Sequence, residues 1–338
     1  MSAVIPAYNA ADWLPRSVPK LADAMKKAGI KTAEIIIVDD GSADDTSKVA
    51  KSLNVGYPVR VIKQPNSGRF IARRTGTAAA KYPYILFIDT RIFIAPNSLK
   101  YLTSRLDRPA DRLVWTSHVN IDKNGNIYAR FWEAVTFLAW RKYFANPREC
   151  SYGIKDFDHY PKGTTCFFTP KEVIEKANSW FEHSTKSAKA SNDDTLLIRR
   201  IAEDHNINLS PRFSCTYHAR TSLKQYIRHA NFRGKVFVDG FLRRDGNRFF
   251  WPLLLFLALS LAIPIYLIFS PKHIPLAAAV LAAVWLGLLI FALLLRVPRK
   301  DALSLFILSP LFLVVYGLGI WSAFLDIYVF RKAKQLTN

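Results

Sequence analysis

Three short apolar runs, 3–6 (Ala-Val-Ile-Pro), 35–38 (Ile-Ile-Ile-Val) and 84–88, and one stretch with basic residues, 59–63 (Val-Arg-Val-Ile-Lys), read as strands in the first ninety residues. Runs of β-branched residues with no polar alternation are what strands buried on both faces look like. Between them lie stretches of helix-forming residues at about 14–28, 46–53 and 71–81. This strand–helix alternation predicts an α/β domain with a doubly wound, mostly parallel sheet. Further on, 113–121 reads as another strand and 131–144 as an aromatic helix with Trp132 and Trp140. That helix suits either core packing or a membrane–water boundary. Residues 182–192 are polar, as an active-site loop would be, and a helix is expected over 195–202.

The pattern changes after residue 248. Residues 249–269 give 21 positions without a charge and 274–295 give 22. A helix crossing a bilayer core needs about 20 apolar residues, so both predict spanning helices, joined by the short connection 270–273. Pro264 would kink the first without disqualifying it. The third uncharged stretch, 303–325, contains Pro310, Gly317 and Gly319. Basic clusters favour the cytoplasmic side. They stand at Arg243, Arg244 and Arg248, at Arg296, Arg299 and Lys300, and at Arg331, Lys332 and Lys334. Three full crossings would put the last cluster outside, so a broken, re-entrant or interfacial third segment is expected. The first strand leaves no room for an apolar signal segment ahead of it, which predicts a multi-pass protein of the cell membrane with its first two thirds in the cytoplasm. The expected organisation is a domain at 1–224, a basic amphipathic segment at 225–248 and a membrane domain at 249–338.

Charge narrows the partners. The formal net charge is +21, of which +16 precedes residue 249. Such a surface fits nucleic acid, an anionic membrane or phosphorylated substrates. No helix-turn-helix, zinc-finger or RNA-binding motif accompanies it, so nucleic acid is not expected as a partner. Segment 225–248 mixes Arg228, Arg233 and Lys235 with Tyr226, Phe232 and Phe237, which suits a helix lying on membrane lipids. Cys150, Cys166 and Cys215 have no metal-like spacing and read as ordinary thiols.

Candidate chemistry sits where the strands end. Ligands of open α/β sheets bind beyond the strands' carboxyl ends, and Asp39-Asp40-Gly41-Ser42 and Asp89 occupy such positions. An Asx turn and helix cap built by Asp39, Ser42 and Asp44 would account for the first of these equally well.

Five segments in order resemble the family-2 glycosyltransferases, which have the GT-A nucleotide-sugar fold. They are Val4-Ile-Pro-Ala-Tyr-Asn9, Ile37-Val-Asp-Asp-Gly-Ser42, the stretch from Gly68 to Gly76 with Ala72-Arg73, Ile85-Leu-Phe-Ile-Asp89, and Asn192-Asp-Asp-Thr-Leu196. The resemblance covers roughly residues 2–240 and implies an inverting transfer from a nucleotide-diphosphate sugar. It implies that Asp40, and with it Asp39, meets the nucleoside, with Pro6, Ala7 and Tyr8 lining the base and Arg73 approaching the phosphates. Asp194 would be the general base, beside Asp193, since adjacent carboxylates raise one another's pKa. Gln225, Arg228 and Arg233 would lie on the acceptor or phosphate side.

One position departs from the family's pattern. Asp89-Thr90-Arg91 has an arginine where a second carboxylate would help hold a divalent cation, Mg²⁺ or Mn²⁺. Hard cations want several oxygen ligands. Either Asp89 and His218 bind metal, or Arg91 itself neutralises the leaving diphosphate; weak or absent metal dependence is expected. The leading reading is transfer to a lipid-linked or growing glycan acceptor at the cytosolic membrane face. A polyprenyl-phosphate sugar synthase is the alternative within the same class. A non-catalytic nucleotide-sugar-binding scaffold is the alternative outside it.

Overall fold

The computed structural model describes residues 1–106, 113–124, 126–184, 193–242 and 249–330. Two compact units divide the chain: Met1–Asp122 with Trp140–Ala219, and Lys123–Ala139 with Arg220–Asn338.

The first unit is built on one sheet. Strands β1 (Ser2–Ala7), β2 (Glu34–Asp40), β3 (Val59–Gln64) and β4 (Tyr84–Ile88) alternate with helices α1 (Leu14–Lys27), α2 (Thr46–Ser52) and α3 (Arg69–Ala79). They are followed by β5 (Ile92–Ile94), α4 (Ser98–Leu106), β6 (Val114–Ile121), and, in the second unit, α5 (Ile127–Ala139). Back in the first unit come α6 (Arg141–Phe144), β7 (Cys150–Tyr152), β8 (Cys166–Pro170), α7 (Lys171–Ser184), α8 (Asp193–Asp204) and β9 (Ile207–Tyr217). The strand order is β3-β2-β1-β4-β8-β6-β9-β5, with β7 also on β9. The half made by β1 to β4 is parallel, as the alternation predicts. The other half is mixed: β8 runs antiparallel to both β4 and β6, while β6 and β9 are parallel.

Alternate residues of one strand feed opposite cores. Ile35 and Ile37 join Leu14, Val18 and Leu21 of α1 on one face of the sheet. Ile36 and Val38 join Phe70 of α3, Ile174 of α7 and Ile198 of α8 on the other. This burial on both faces is why β2 reads as an unbroken apolar run. It continues through Asp39 and Asp40, both only 4% exposed, so two carboxylates end a fully buried strand.

The second unit contains α5, α9 (Leu223–Phe241), α10 (Phe250–Phe269), α11 (Ile274–Leu294) and α12 (Arg299–Phe324). Three helical stretches, Phe250–Phe269, Pro271–Leu294 and Arg299–Phe330, are long and apolar enough to cross a membrane. The third corrects the expectation of a broken segment: α12 is one continuous helix, prolonged by a π-helical turn at Leu325–Phe330. Its glycines serve close packing. A Cβ on Gly319 would stand 2.3 Å from the carbonyl oxygen of Asn231, and one on Gly234 would stand 2.2 Å from that of Tyr316. The backbones of α9 and α12 therefore touch, a use of small residues familiar between membrane helices. At the start of α12, the buried Asp301 accepts from Lys123 at 3.0 Å and Arg130 at 3.1 Å, tying α5 to α12.

These contacts explain why the units differ from a division at 224/225. The expected single helix 131–144 is interrupted at Trp140, and its first part packs with the C-terminal helices through Phe131, Ala134, Tyr226 and Leu305. Of the loop expected over 182–192, residues 182–184 instead end α7, and 185–192, like the basic clusters at 243–248 and 331–334, lie outside the described residues.

In the first unit, Gly76 of α3 lies against β1, where a Cβ would meet Val4 Cγ1 at 2.3 Å. Gly76→Ala is expected to destabilise by about 1–3 kcal/mol, as overpacking of a dense core does. A fall of several degrees in Tm of the detergent-solubilised protein would register it.

Candidate active site

The carboxyl ends of β1 and β2 are sewn to one another. Asn9 adopts φ 48°, a left-handed conformation that asparagine tolerates. Its backbone N–H donates to Ser42 Oγ at 3.0 Å, and its side-chain oxygen accepts from the Ala43 N–H at 2.9 Å. The Ala10 N–H donates to Thr46 Oγ1 at 2.7 Å, and Ala11 N–H to Asp44 at 3.2 Å. Asp44 also receives the Thr46 hydroxyl and backbone N–H. The turn expected from Asp39, Ser42 and Asp44 is thus present, and it fixes the loop after β1 as well.

Asp39 and Asp40 then divide the work. Asp40 Oδ1 accepts from Gln64 Nε2 at 2.7 Å and Ser67 N–H at 2.8 Å, while Oδ2 accepts from Gly68 N–H at 2.8 Å. Both of its oxygens hold the loop that leads into α3. Gly41 seals this arrangement with φ 73°, and a Cβ there would approach Asn66 N to 2.6 Å. Asp39 accepts one bond, from Ser42 N–H at 3.0 Å through Oδ1. Asp39 thus has fewer partners among the described residues than Asp40. Pro6 and Ala7 end β1 beside Asp39, and Tyr8 is 54% exposed.

A second cluster joins α3, β4 and α8. Arg73 is 4% exposed, and its guanidinium donates to Asp89 Oδ1 at 2.7 Å and to Asp194 Oδ1 at 2.9 Å. The Thr164 hydroxyl donates to the same oxygen of Asp194. Asp194 Oδ2 faces Arg69 at 3.9 Å, and Arg69 is about half exposed. The loop carrying Thr164 is fastened to α8 by Asp158, which accepts from Lys162 at 3.2 Å and Arg199 at 3.1 Å. Those two cations hold the Asp158 carboxyl below its usual range, against its partial burial. The resemblance puts Arg73 at the phosphates; the structure instead commits its guanidinium to two carboxylates. Arg69 and Thr164 went unnoticed in the sequence, where neither belongs to a spaced pattern. Asp193 opens α8 beside Asp194, with its side chain outside the described set.

Arg91 stacks over Trp13 at 4.5 Å and donates to the His218 carbonyl oxygen at 3.3 Å. His218 Nδ1 lies 2.9 Å from Asp122 Oδ2, and its ring packs on Phe93 at a centroid distance of 4.1 Å. Burial lowers the imidazole's pKa, against the pull of Asp122. Asp89 is held by Arg73, His218 by Asp122, the next candidate position is an arginine, and among the described residues no three His, Cys, Asp or Glu side chains converge. Gln225, Arg228 and Arg233 lie on α9 in the second unit, with Gln225 and Arg228 exposed and Arg233 over the Trp132 ring at 5.7 Å.

The mostly parallel half-sheet with carboxylates at its strand ends agrees with the GT-A fold. The model of the family described as glycosyl transferase family 2 matches residues 2–169, about half of the chain. The chain belongs to that family.

Chondroitin synthase of Escherichia coli is 30% identical over 129 residues, which cover 38% of this chain and 18% of that protein. The glycosyltransferase YibD of E. coli K12 is 34% identical over 103 residues, 30% of this chain and 29% of that one. The chain spans less than half the length of the curated relatives it matches. Among solved structures, S. aureus TarS 1–349 in complex with UDP-GlcNAc overlays with a TM-score of 0.49 at 13% identity, covering 91% of this chain and 90% of that one. That overlay is too loose for residue-by-residue comparison.

The division of labour at the end of β2 is testable. Asp40→Asn turns an amide N–H₂ toward N–H donors and should cost about 1–3 kcal/mol, the range for unsatisfied buried groups, seen as a lowered Tm. Asp39→Ala loses the one bond from the part-buried Ser42 N–H and should cost about 0.5–2 kcal/mol, a smaller fall in Tm than for Asp40→Asn. It should abolish the thermal shift given by a nucleotide sugar.

Proposed function

We propose that the protein transfers a sugar from a nucleotide-diphosphate donor to a lipid-linked or growing glycan acceptor at the cytosolic face of a membrane. The observation that carries this reading is Asp194, brought beside Asp89 at the carboxyl side of the sheet by one buried guanidinium. Asp39 meets the nucleoside, between the end of β1 and the loop held by Asp40. Asp194 Oδ2 accepts the proton of an acceptor hydroxyl as its oxygen attacks the anomeric carbon. The bond to the diphosphate oxygen breaks in the same displacement, and the nucleoside diphosphate leaves with that electron pair. One displacement inverts the anomeric centre, and a positioned base contributes about 10²–10⁴-fold.

Support for the membrane-facing acceptor comes from the three apolar helices and from the exposed basic side chains of α9, Lys224, Arg228 and Lys235. Chondroitin synthase and hyaluronan synthase, by their names makers of glycan polymers, are among the relatives, which favours chain extension over lipid-phosphate glycosylation. Arg91, in the place of a second carboxylate, favours neutralisation of the diphosphate by a guanidinium.

Asp194→Asn should lower transfer by about 10²–10⁴-fold while nucleotide-sugar binding, read by thermal shift, is retained. Near-normal turnover would remove Asp194 as the base. The metal question is separate: turnover after exhaustive EDTA treatment should stay within about tenfold of that with Mg²⁺ or Mn²⁺, a margin of about 1.4 kcal/mol in the barrier. Complete loss restored by either ion would show that a cation, not Arg91, meets the diphosphate.

A further inference from the structure

Arg73 is the only side chain described as bonding to both Asp89 and Asp194. Its guanidinium is a planar fork, and the two carboxylates use different nitrogens of that fork, so the separation and orientation of the pair are set by one rigid group. Two of its nitrogens are spent on the pair, and the carboxylates keep about a fifth to a quarter of their side-chain surface. Asp194 Oδ1 is taken twice, by Arg73 and by Thr164. Asp194 Oδ2 also lies 3.9 Å from Arg69. Two donors on one oxygen fix how the carboxylate is turned.

The geometry points to Arg73 as a positioning residue that couples the donor-side carboxylate Asp89 to Asp194 and fixes the orientation of the Asp194 carboxylate, and not as a ligand of the donor phosphates. This inference rests on the reading of Asp194 as the base. Arg73 acts from behind, with Thr164 as the second clamp on Oδ1. The cation that meets the phosphates then comes from elsewhere: Arg91, as proposed above, joined by Arg69, which is about half exposed at the first position of α3.

The roles separate by comparing binding with turnover. A misplaced catalytic group costs up to about 10²-fold in rate without loss of affinity, whereas a lost phosphate contact weakens nucleotide binding. The experiment takes the full chain in lipid vesicles with its membrane acceptor. The probe is whichever of the UDP-, GDP- or dTDP-sugars stabilises the unmodified protein, and nucleoside diphosphate release is followed for Arg73→Lys, Arg73→Met, Thr164→Val and Asp194→Asn. Lysine keeps the charge but not the fork, so Arg73→Lys should lose about 10–100-fold in kcat, with Kd for the nucleoside diphosphate within about threefold. Thr164→Val should lose about tenfold in kcat, near the worth of one hydrogen bond to a charged group.

The groups facing Asp194 are Arg69, Arg73 and Thr164, with Asp89 behind Arg73. Removing the nearer cation raises the carboxyl pKa. The acid limb of the pH–rate profile should therefore move to higher pH in Arg73→Met and less in Arg73→Lys. Should Arg73→Met not fold, Arg73→Lys and Thr164→Val still decide. A tenfold or larger loss of nucleoside diphosphate affinity in Arg73→Lys, with kcat unchanged, would overturn the proposal and return Arg73 to the phosphates. Wild-type kcat in both Arg73→Lys and Thr164→Val, with Asp194→Asn inactive, would overturn it and leave the base assignment standing. Full activity in Asp194→Asn would instead remove the base assignment itself.

Discussion

One guanidinium joins the two halves of the active site. Arg73 reaches from α3, a helix of the parallel half of the sheet, to Asp89 at the end of β4 and to Asp194 at the start of α8. Two carboxylates brought this close repel, and the cost falls only when a cation sits between them. The alternating fold supplies that cation from within. Gly76 keeps α3 tight on β1, and Asp40 fixes the loop where α3 begins. The site is thus prestressed into shape by the same contacts that hold the sheet together.

This arrangement also explains why the departure at Arg91 need not disable the enzyme. In a metal-centred site the carboxylates would be held apart by a shared cation. Here Asp89 already has its counterion in Arg73, while Arg91 is set aside against Trp13 and the His218 carbonyl. The positive charge of the chain is therefore not merely a surface property. Part of it is buried in the machinery, and part lines the exposed side of α9.

The parallel half of the sheet was legible because a strand buried on both faces leaves an unmistakable run such as 35–38, and the carboxylates at its end follow from topology. The mixed half was not. β9 carries Ser210, Pro211 and Arg212 within it, and β6 shifts register between Ser117 and His118, so neither shows a clean period. β8 is a five-residue run whose antiparallel place depends on partners far away in sequence. Asp194 could be found because its neighbours form a motif. Thr164 lies 30 residues away and touches it only through the fold. The three donors that hold Asp40 come from the end of β3 and the loop after it, which no pattern in the sequence pairs with it. The glycines of the last helix suggested a break, but in the structure they are contact points that need another helix to make sense.

The central claim is that Arg73 contributes to catalysis through Asp194. A double-mutant cycle on initial rates of donor turnover tests that dependence directly, using Arg73→Lys, Asp194→Asn and the combined variant. Residues acting as one unit are strongly non-additive. Once Asp194 is replaced, the Arg73 substitution should cost less than about twofold, its effect being already spent through the coupled partner. Additive losses, with Arg73→Lys costing as much in the Asp194→Asn background as in the unmodified protein, would show that the two act independently and would contradict the account.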